Sequence, residues 1–215
     1  MDFSRIDQIR EEIRAMQVPS AERAIDRHEI DREDLVLGGV ECERIISRKG
    51  GTSGGTLLYL FGGGFVSGSP FCDMPIIGAL AEWCRVDVIA PKYRLAPEHP
   101  APAAADDCVA VWQEVAAAST GPLLLAGESA GGNLAAVLVQ RVFSVGSRTP
   151  DAVALLSPAV DLRTNVELFE PTLNADPTMR PERIAEIAAA YGPGRDLSEP
   201  SLSPLFGPQY FPIEK

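Results

Sequence analysis

Apolar residues recur at two spacings along this chain, and the change from one to the other marks out its elements. Ile6, Ile9, Ile13 and Met16 fall three and four residues apart, on one face of a predicted helix over Ser4–Gln17, with Arg5, Glu11, Glu12 and Arg14 on the other. Such a helix must dock on a sheet domain or lie over one as a lid. Residues 20–34 are so rich in charge that they read as surface, with His28, among Asp26, Arg27 and Glu29, a solvated histidine. Short apolar runs follow. Cys42–Ser47, Thr56–Phe61, Val86–Pro91, Pro122–Ala126 and Ala152–Leu156 read as strands, and the unbroken apolar run of Thr56–Phe61 fits a strand buried on both faces. Between them the pattern predicts a helix capped by Asp73 and running to about Cys84, with Pro75 in its first turn. It predicts others over Ala103–Ala118 and Gly132–Val139. This alternation predicts an α/β fold, a mostly parallel sheet with helices on both faces. Beyond Ser157 the texture is polar and irregular, with a short helix near Asn165–Phe169 and another over Ile184–Tyr191. The proline-spaced remainder from Gly192 reads as loop.

Two glycine-rich stretches sit at strand ends. Gly127-Glu128-Ser129-Ala130-Gly131 lies between the strand Pro122–Ala126 and a helix. A G-x-S-x-G in that setting is a sharp turn whose glycines remove obstructing Cβ atoms and whose tip, Ser129, projects its hydroxyl at the carboxyl end of the sheet. The helix N-terminus beneath offers free N–H groups and a positive dipole end to a developing oxyanion. The second stretch, Gly62-Gly63-Gly64-Phe65, follows the strand Thr56–Phe61. No G-x-G-x-x-G runs through Gly62, Gly63, Gly64 and Gly68, and no G-K-[ST] is present, so neither a dinucleotide fingerprint nor a phosphate loop fits. Beside Ser129, an oxyanion loop is the coherent reading, with the N–H groups of Gly63, Gly64 and Ala130 as donors. A glycine loop that serves only tight packing is the alternative.

Composition narrows the partners. The 215 residues suffice for one main core, and a net charge of −11 argues against nucleic acid and anionic membrane surfaces. No apolar run is long enough to span a bilayer, and the first residues lack a signal-peptide pattern. Cys42, Cys72, Cys84 and Cys108 form no C-x-x-C pair, and with two histidines in the chain no zinc site is expected. Free thiols in a reducing cytoplasm are the plainest reading.

Longer matches then accumulate. Phe61-Gly62-Gly63-Gly64-Phe65 is followed by Gly68-Ser69-Pro70. Tyr93-Arg94-Leu95-Ala96-Pro97-Glu98-His99-Pro100 precedes the elbow, which extends to Gly132-Asn133-Leu134-Ala135. Ser157-Pro158, Asp161-Leu162, Asp176-Pro177 and Ser203-Pro204-Leu205 come after it. On these residues the chain resembles the hormone-sensitive-lipase family of α/β-hydrolases, in particular its bacterial carboxylesterases. The resemblance implies an α/β-hydrolase fold and cofactor-free hydrolysis of a small-molecule ester through a Ser–Asp–His triad. It also implies an N-terminal lid, dividing the chain into a lid segment at residues 1–35 and a hydrolase domain at residues 36–215.

Two departures qualify that expectation. Phe61 stands where the family usually has the histidine that braces the oxyanion loop. In addition, the triad order in this fold is Ser, then acid, then His, yet no histidine follows Ser129; His28 and His99 both precede it. Asp161 follows a strand at a position where some hydrolases of this fold carry the acid, but the family match makes it structural. The fold is therefore expected to lack its C-terminal strands and the chain to be nearly inert as an esterase. The alternative is a pseudo-hydrolase that binds a small ligand, as gibberellin receptors resemble this same family. With those strands missing, the apolar strand Ala152–Leu156 becomes a sheet edge through which copies of the chain are expected to associate.

Overall fold

The computed structural model describes residues 3–51, 53–163 and 180–208. One sheet contains β1 (Ile30–Leu37), β2 (Val40–Ser47), β3 (Thr56–Leu60), β4 (Asp87–Pro91), β5 (Leu123–Glu128) and β6 (Ala152–Leu156), in the order β1-β2-β4-β3-β5-β6. β1 and β2 are antiparallel, as are β2 and β4; the remaining pairings are parallel. The helices are α1 (Ile6–His28), α2 (Met74–Cys84), α3 (Ala103–Ala118), α4 (Ala130–Ser144) and α5 (Pro181–Tyr191). α2 lies against β2 and β4 with α1 packed on it, while α3 and α4 pack on each other, α3 against β1 to β4 and α4 against β3, β5 and β6. Four of the five residues in each of the central strands β3 and β4 are consequently buried, as their unbroken apolar runs require.

The N-terminal third departs from the expectation. The helix predicted to end at Gln17 continues to His28, and its second half is not surface. Ala21, Ala24 and His28 are buried on the face that meets α2, where Gly78 leaves the space: a Cβ on Gly78 would stand 3.1 Å from His28 Cδ2. His28 is not solvated; it is 6% exposed and its Nδ1 lies 2.7 Å from Glu82 Oε2. The residues after it form a strand rather than a charged loop. β1 turns into β2 through Gly38 and Gly39, both at positive φ (58° and 80°), the backbone that a two-residue hairpin of matching twist demands. Its charges pair across the hairpin, Arg32 with Glu43 at 2.6 Å and Arg48 with Asp31 at 2.8 Å. Residues 35 and 36 both lie within β1.

Elsewhere the elements fall where the pattern put them, within a few residues at their ends. Ala103–Ala118 and Ala152–Leu156 are a helix and a strand with those bounds. α5 begins at Pro181, three residues earlier than predicted, with the proline in the first turn. The loop after Gly192 holds one 3-10 turn, Pro204–Phe206. The helix predicted near Asn165–Phe169 and the Asp176-Pro177 pair lie outside the described residues. No helix among the described residues is long and apolar enough to cross a membrane.

Candidate active site

β5 ends at Glu128 and α4 begins at Ala130, so a single residue, Ser129, makes the whole turn. It does so at φ 51° and ψ −113°, a strained conformation for a residue with a side chain. Its surroundings hold it there. Ser129 N donates to Leu156 O at 2.9 Å, and Ser129 O accepts from Ala159 N and Asn133 N, both at 3.1 Å. The flanking glycines are needed for room. A Cβ on Gly127 would lie 2.3 Å from Gly131 O, and one on Gly131 would lie 2.0 Å from Leu60 O, at the end of β3. Asn133, fully buried, fastens the base of the turn by donating to Ala159 O and Leu202 O, each at 2.7 Å. Ser129 Oγ has no hydrogen-bond partner among the described residues.

The glycine loop faces this turn. Gly63 sits at φ 124°, and a Cβ there would lie 2.1 Å from Ser67 O, so only glycine fits. Gly63 O accepts from Ser67 N and Ser67 Oγ, each at 3.0 Å, which folds the loop back on itself. Phe61 is buried and stacks on Tyr93 with ring centroids 4.1 Å apart; the Tyr93 hydroxyl donates to Phe61 O at 2.7 Å. A tyrosine from the octapeptide therefore braces the strand end from which the loop starts. Asp73 supplies a second brace. Its carboxyl does not cap α2, as the sequence suggested, but turns inward. There Asp73 Oδ2 accepts from Tyr59 Oη and from Gly62 N, each at 3.0 Å.

A cavity of about 440 Å³ joins these parts. Gly63, Gly64 and Ala130 line it beside Ser129, with Glu128 next to them. Its walls are mostly apolar and include Ile13 and Met16 on α1, Ile184 and Ile187 on α5, and Phe65 and Leu162 from the loops. Arg10 fixes α1 in place. Its guanidinium donates to Val66 O at 2.8 Å, to Ala96 O at 3.0 Å, and to both carboxylate oxygens of Glu98 at 2.8 Å. Neither histidine lines the cavity: His28 is buried between α1 and α2, and His99 is exposed in the octapeptide. Asp161 also lies apart from it, paired with Arg163 at 2.9 Å.

Burial dominates the electrostatics here. It pushes the Glu128 carboxyl up to about 6, with a further contribution from the nearby Asp73 charge. Burial likewise raises Asp73, against the opposing effect of the bonds from Gly62 and Tyr59. Sequence reasoning named Ser129 and the glycines but not Asp73, Tyr93, Arg10 or the α5 isoleucines. Asp73 and Arg10 carried no signal beyond a helix start and a charged helix face. Tyr93 lay within a motif whose contacts only the fold reveals.

Residues 57–213 match the family described as alpha/beta hydrolase fold. The chain is similar to an acetyl-hydrolase of Streptomyces hygroscopicus, 30% identical over 198 residues, which cover 91% of this chain and 66% of that protein. It is similar to the carboxylesterase NlhH of Mycobacterium tuberculosis, 36% identical over 155 residues, 69% of this chain and 48% of that one. A solved esterase from the bacterial hormone-sensitive lipase family superposes with a TM-score of 0.78 at 34% identity, covering 83% of this chain and 60% of the other. The chain thus spans about half to two thirds of the length of these proteins.

Proposed function

Because this chain belongs to the alpha/beta hydrolase fold family, of the bacterial hormone-sensitive-lipase type, we propose that it carries the nucleophile and the oxyanion hole of a carboxylic-ester hydrolase. Ser129 is the nucleophile in this reading. The N–H groups of Gly63, Gly64 and Ala130 receive the negative charge that develops on the ester carbonyl oxygen, each contributing on the order of 3 kcal/mol to the transition state. The apolar cavity takes the acyl or alcohol part of a small ester, and residues 1–35 serve as a lid over it. The observation that carries the reading is the strained Ser129 turn, with its hydroxyl unpartnered among the described residues and the glycine loop lining the same cavity.

Attack by Ser129 needs a base to take its proton, and neither histidine of these 215 residues lines the cavity. Loss of such a base costs on the order of a millionfold in turnover. The 215-residue chain is therefore expected to hydrolyse p-nitrophenyl acetate and butyrate scarcely above background, and Ser129→Ala to leave that rate unchanged. A fusion that supplies the segment by which the relatives are longer should restore hydrolysis, and Ser129→Ala should abolish it in the fusion. Strong Ser129-dependent turnover by the 215 residues alone would refute the assignment of roles. One observation favours a second reading, a pocket that binds a small apolar ligand without turnover: the cavity is walled by isoleucines and contains no histidine. Saturable binding of a non-hydrolysable ester analogue by both the chain and its Ser129→Ala variant supports it. We also propose that copies of the chain associate through the free edge of β6, which pairs only with β5 among the described residues.

A further inference from the structure

Two carboxyl groups that the hydrolytic reading does not use crowd Gly62. Asp73 Oδ2 holds the Gly62 N–H at 3.0 Å and is itself held by Tyr59 Oη. Glu128 Oε2 lies so close that a Cβ on Gly62 would be 1.7 Å away from it. Gly62 is buried, and the next residue begins the positive-φ turn that aims the loop. We propose that Asp73 and Glu128 are positioning residues: together they hold Gly62, and through it the Gly63 and Gly64 N–H donors, against Ser129. The hold is released when both carboxyls are ionised. The proposal rests on the oxyanion-loop reading for its functional meaning, but the hold on the loop is a physical property that can be measured without it.

The charges around the pair make it sensitive to protonation. Tyr59 on β3, Asp73 ahead of α2 and Tyr93 ahead of α3 face this region, and Arg183 on α5 lines the same cavity. Asp73 is the neighbour whose charge acts on Glu128. Arg183 is exposed at the cavity wall and does not pair with either acid. With one of the two carboxyls neutral, Gly62 N–H donates to Asp73 Oδ2 without opposition. With both ionised, two like charges crowd the same glycine, and separating them means moving the loop.

Amide hydrogen exchange in the full chain, read as protection factors from pH 5 to pH 8, tests this. The Gly62 amide is expected to lose severalfold in protection across that range, as the second carboxyl ionises beside the first. Glu128→Gln should flatten the dependence. Asp73→Ala should remove Gly62 protection at every pH while amides of α3 keep theirs. Asp73→Asn, which retains an acceptor oxygen without the charge, should restore protection without the pH dependence. Gly62 protection in Asp73→Ala within twofold of the parent, or a pH dependence that persists in Glu128→Gln, overturns the proposal. If Asp73→Ala does not fold, Glu128→Gln and Asp73→Asn decide the matter: flat profiles support it and sloping ones end it. Ser129→Ala should leave all these protection factors unchanged, so failure of the hydrolase reading in the turnover assay and failure of the loop hold are separately visible.

Discussion

Glu128 shows how a site residue can work against the stability of its own fold. Its carboxyl is half-buried and its pKa rises from 4.5 to about 6. Below about pH 4.5 the group is neutral in both folded and unfolded chains, so it adds nothing to the balance. Between 4.5 and 6 the unfolded chain gives up its proton first, and folding loses ground; above 6 the loss is complete. After allowance for solvent screening of a half-exposed group the penalty is about 1 kcal/mol. Glu128→Gln should therefore stabilise the chain by about that much at pH 7.5 and by nothing at pH 4, measured by urea unfolding at both values. An equal gain at the two values would mean that burial of the charge is not the cause. Such residues were only partly legible beforehand. Ser129, Gly63, Gly64 and Ala130 stood in motifs whose backbone geometry is itself the signal. Asp73 is an ordinary helix-start residue in sequence, and only the approach of Tyr59 on β3 and of Gly62 in the loop after it gives its carboxyl a role.

Among the elements, α1 has the most to explain. Its first half was visible because isoleucines mark a face; its second half was not, because the buried face there is made of Ala21, Ala24 and His28, which hydropathy scores as weak or polar. Close approach to Gly78 rather than bulk buries that face. β1 was hidden for the opposite reason. It is an edge strand whose charged residues pair with β2 or face water, as edge strands commonly do. Its one clear signal, Gly38-Gly39 between two apolar ends, is a hairpin turn. Arg10 joins α1 to the site by charge-assisted bonds to two carbonyls and to Glu98. Arg10→Ala should cost about 2 kcal/mol, because it strands Val66 O and Ala96 O as well as the carboxylate. It should also raise hydrogen exchange in residues 6–17 more than in β3 to β5. A uniform rise across the sheet would show that the clamp serves the whole fold rather than the cavity wall.

At the scale of the molecule, the sheet has two unlike edges. β1 bears a row of charges; β6, Ala-Val-Ala-Leu-Leu, bears none. Backbone groups along β6 that face away from β5 meet no further strand among the described residues and can pair with one from another chain. Ala154→Lys places a charge at an exposed position in the middle of that edge, and should shift the chain from dimers or larger species toward monomer in sedimentation equilibrium. A parent chain that is already monomeric at high concentration would remove the premise. The strand order carries a consequence for synthesis as well. β3 pairs with β4 and β5 but not with β2, so the strand made third has no sheet neighbour until β4 inserts between it and β2. β5 then joins the far side of β3, and β6 joins β5. As the polypeptide leaves the ribosome, the charged hairpin of β1 and β2 is complete first, and the apolar β3 waits unpaired for the strand that follows it. Nascent chains of this protein should thus be most open to mispairing after β3 is made and before β4 is, and a chaperone that shields extended apolar segments would find its target in that interval.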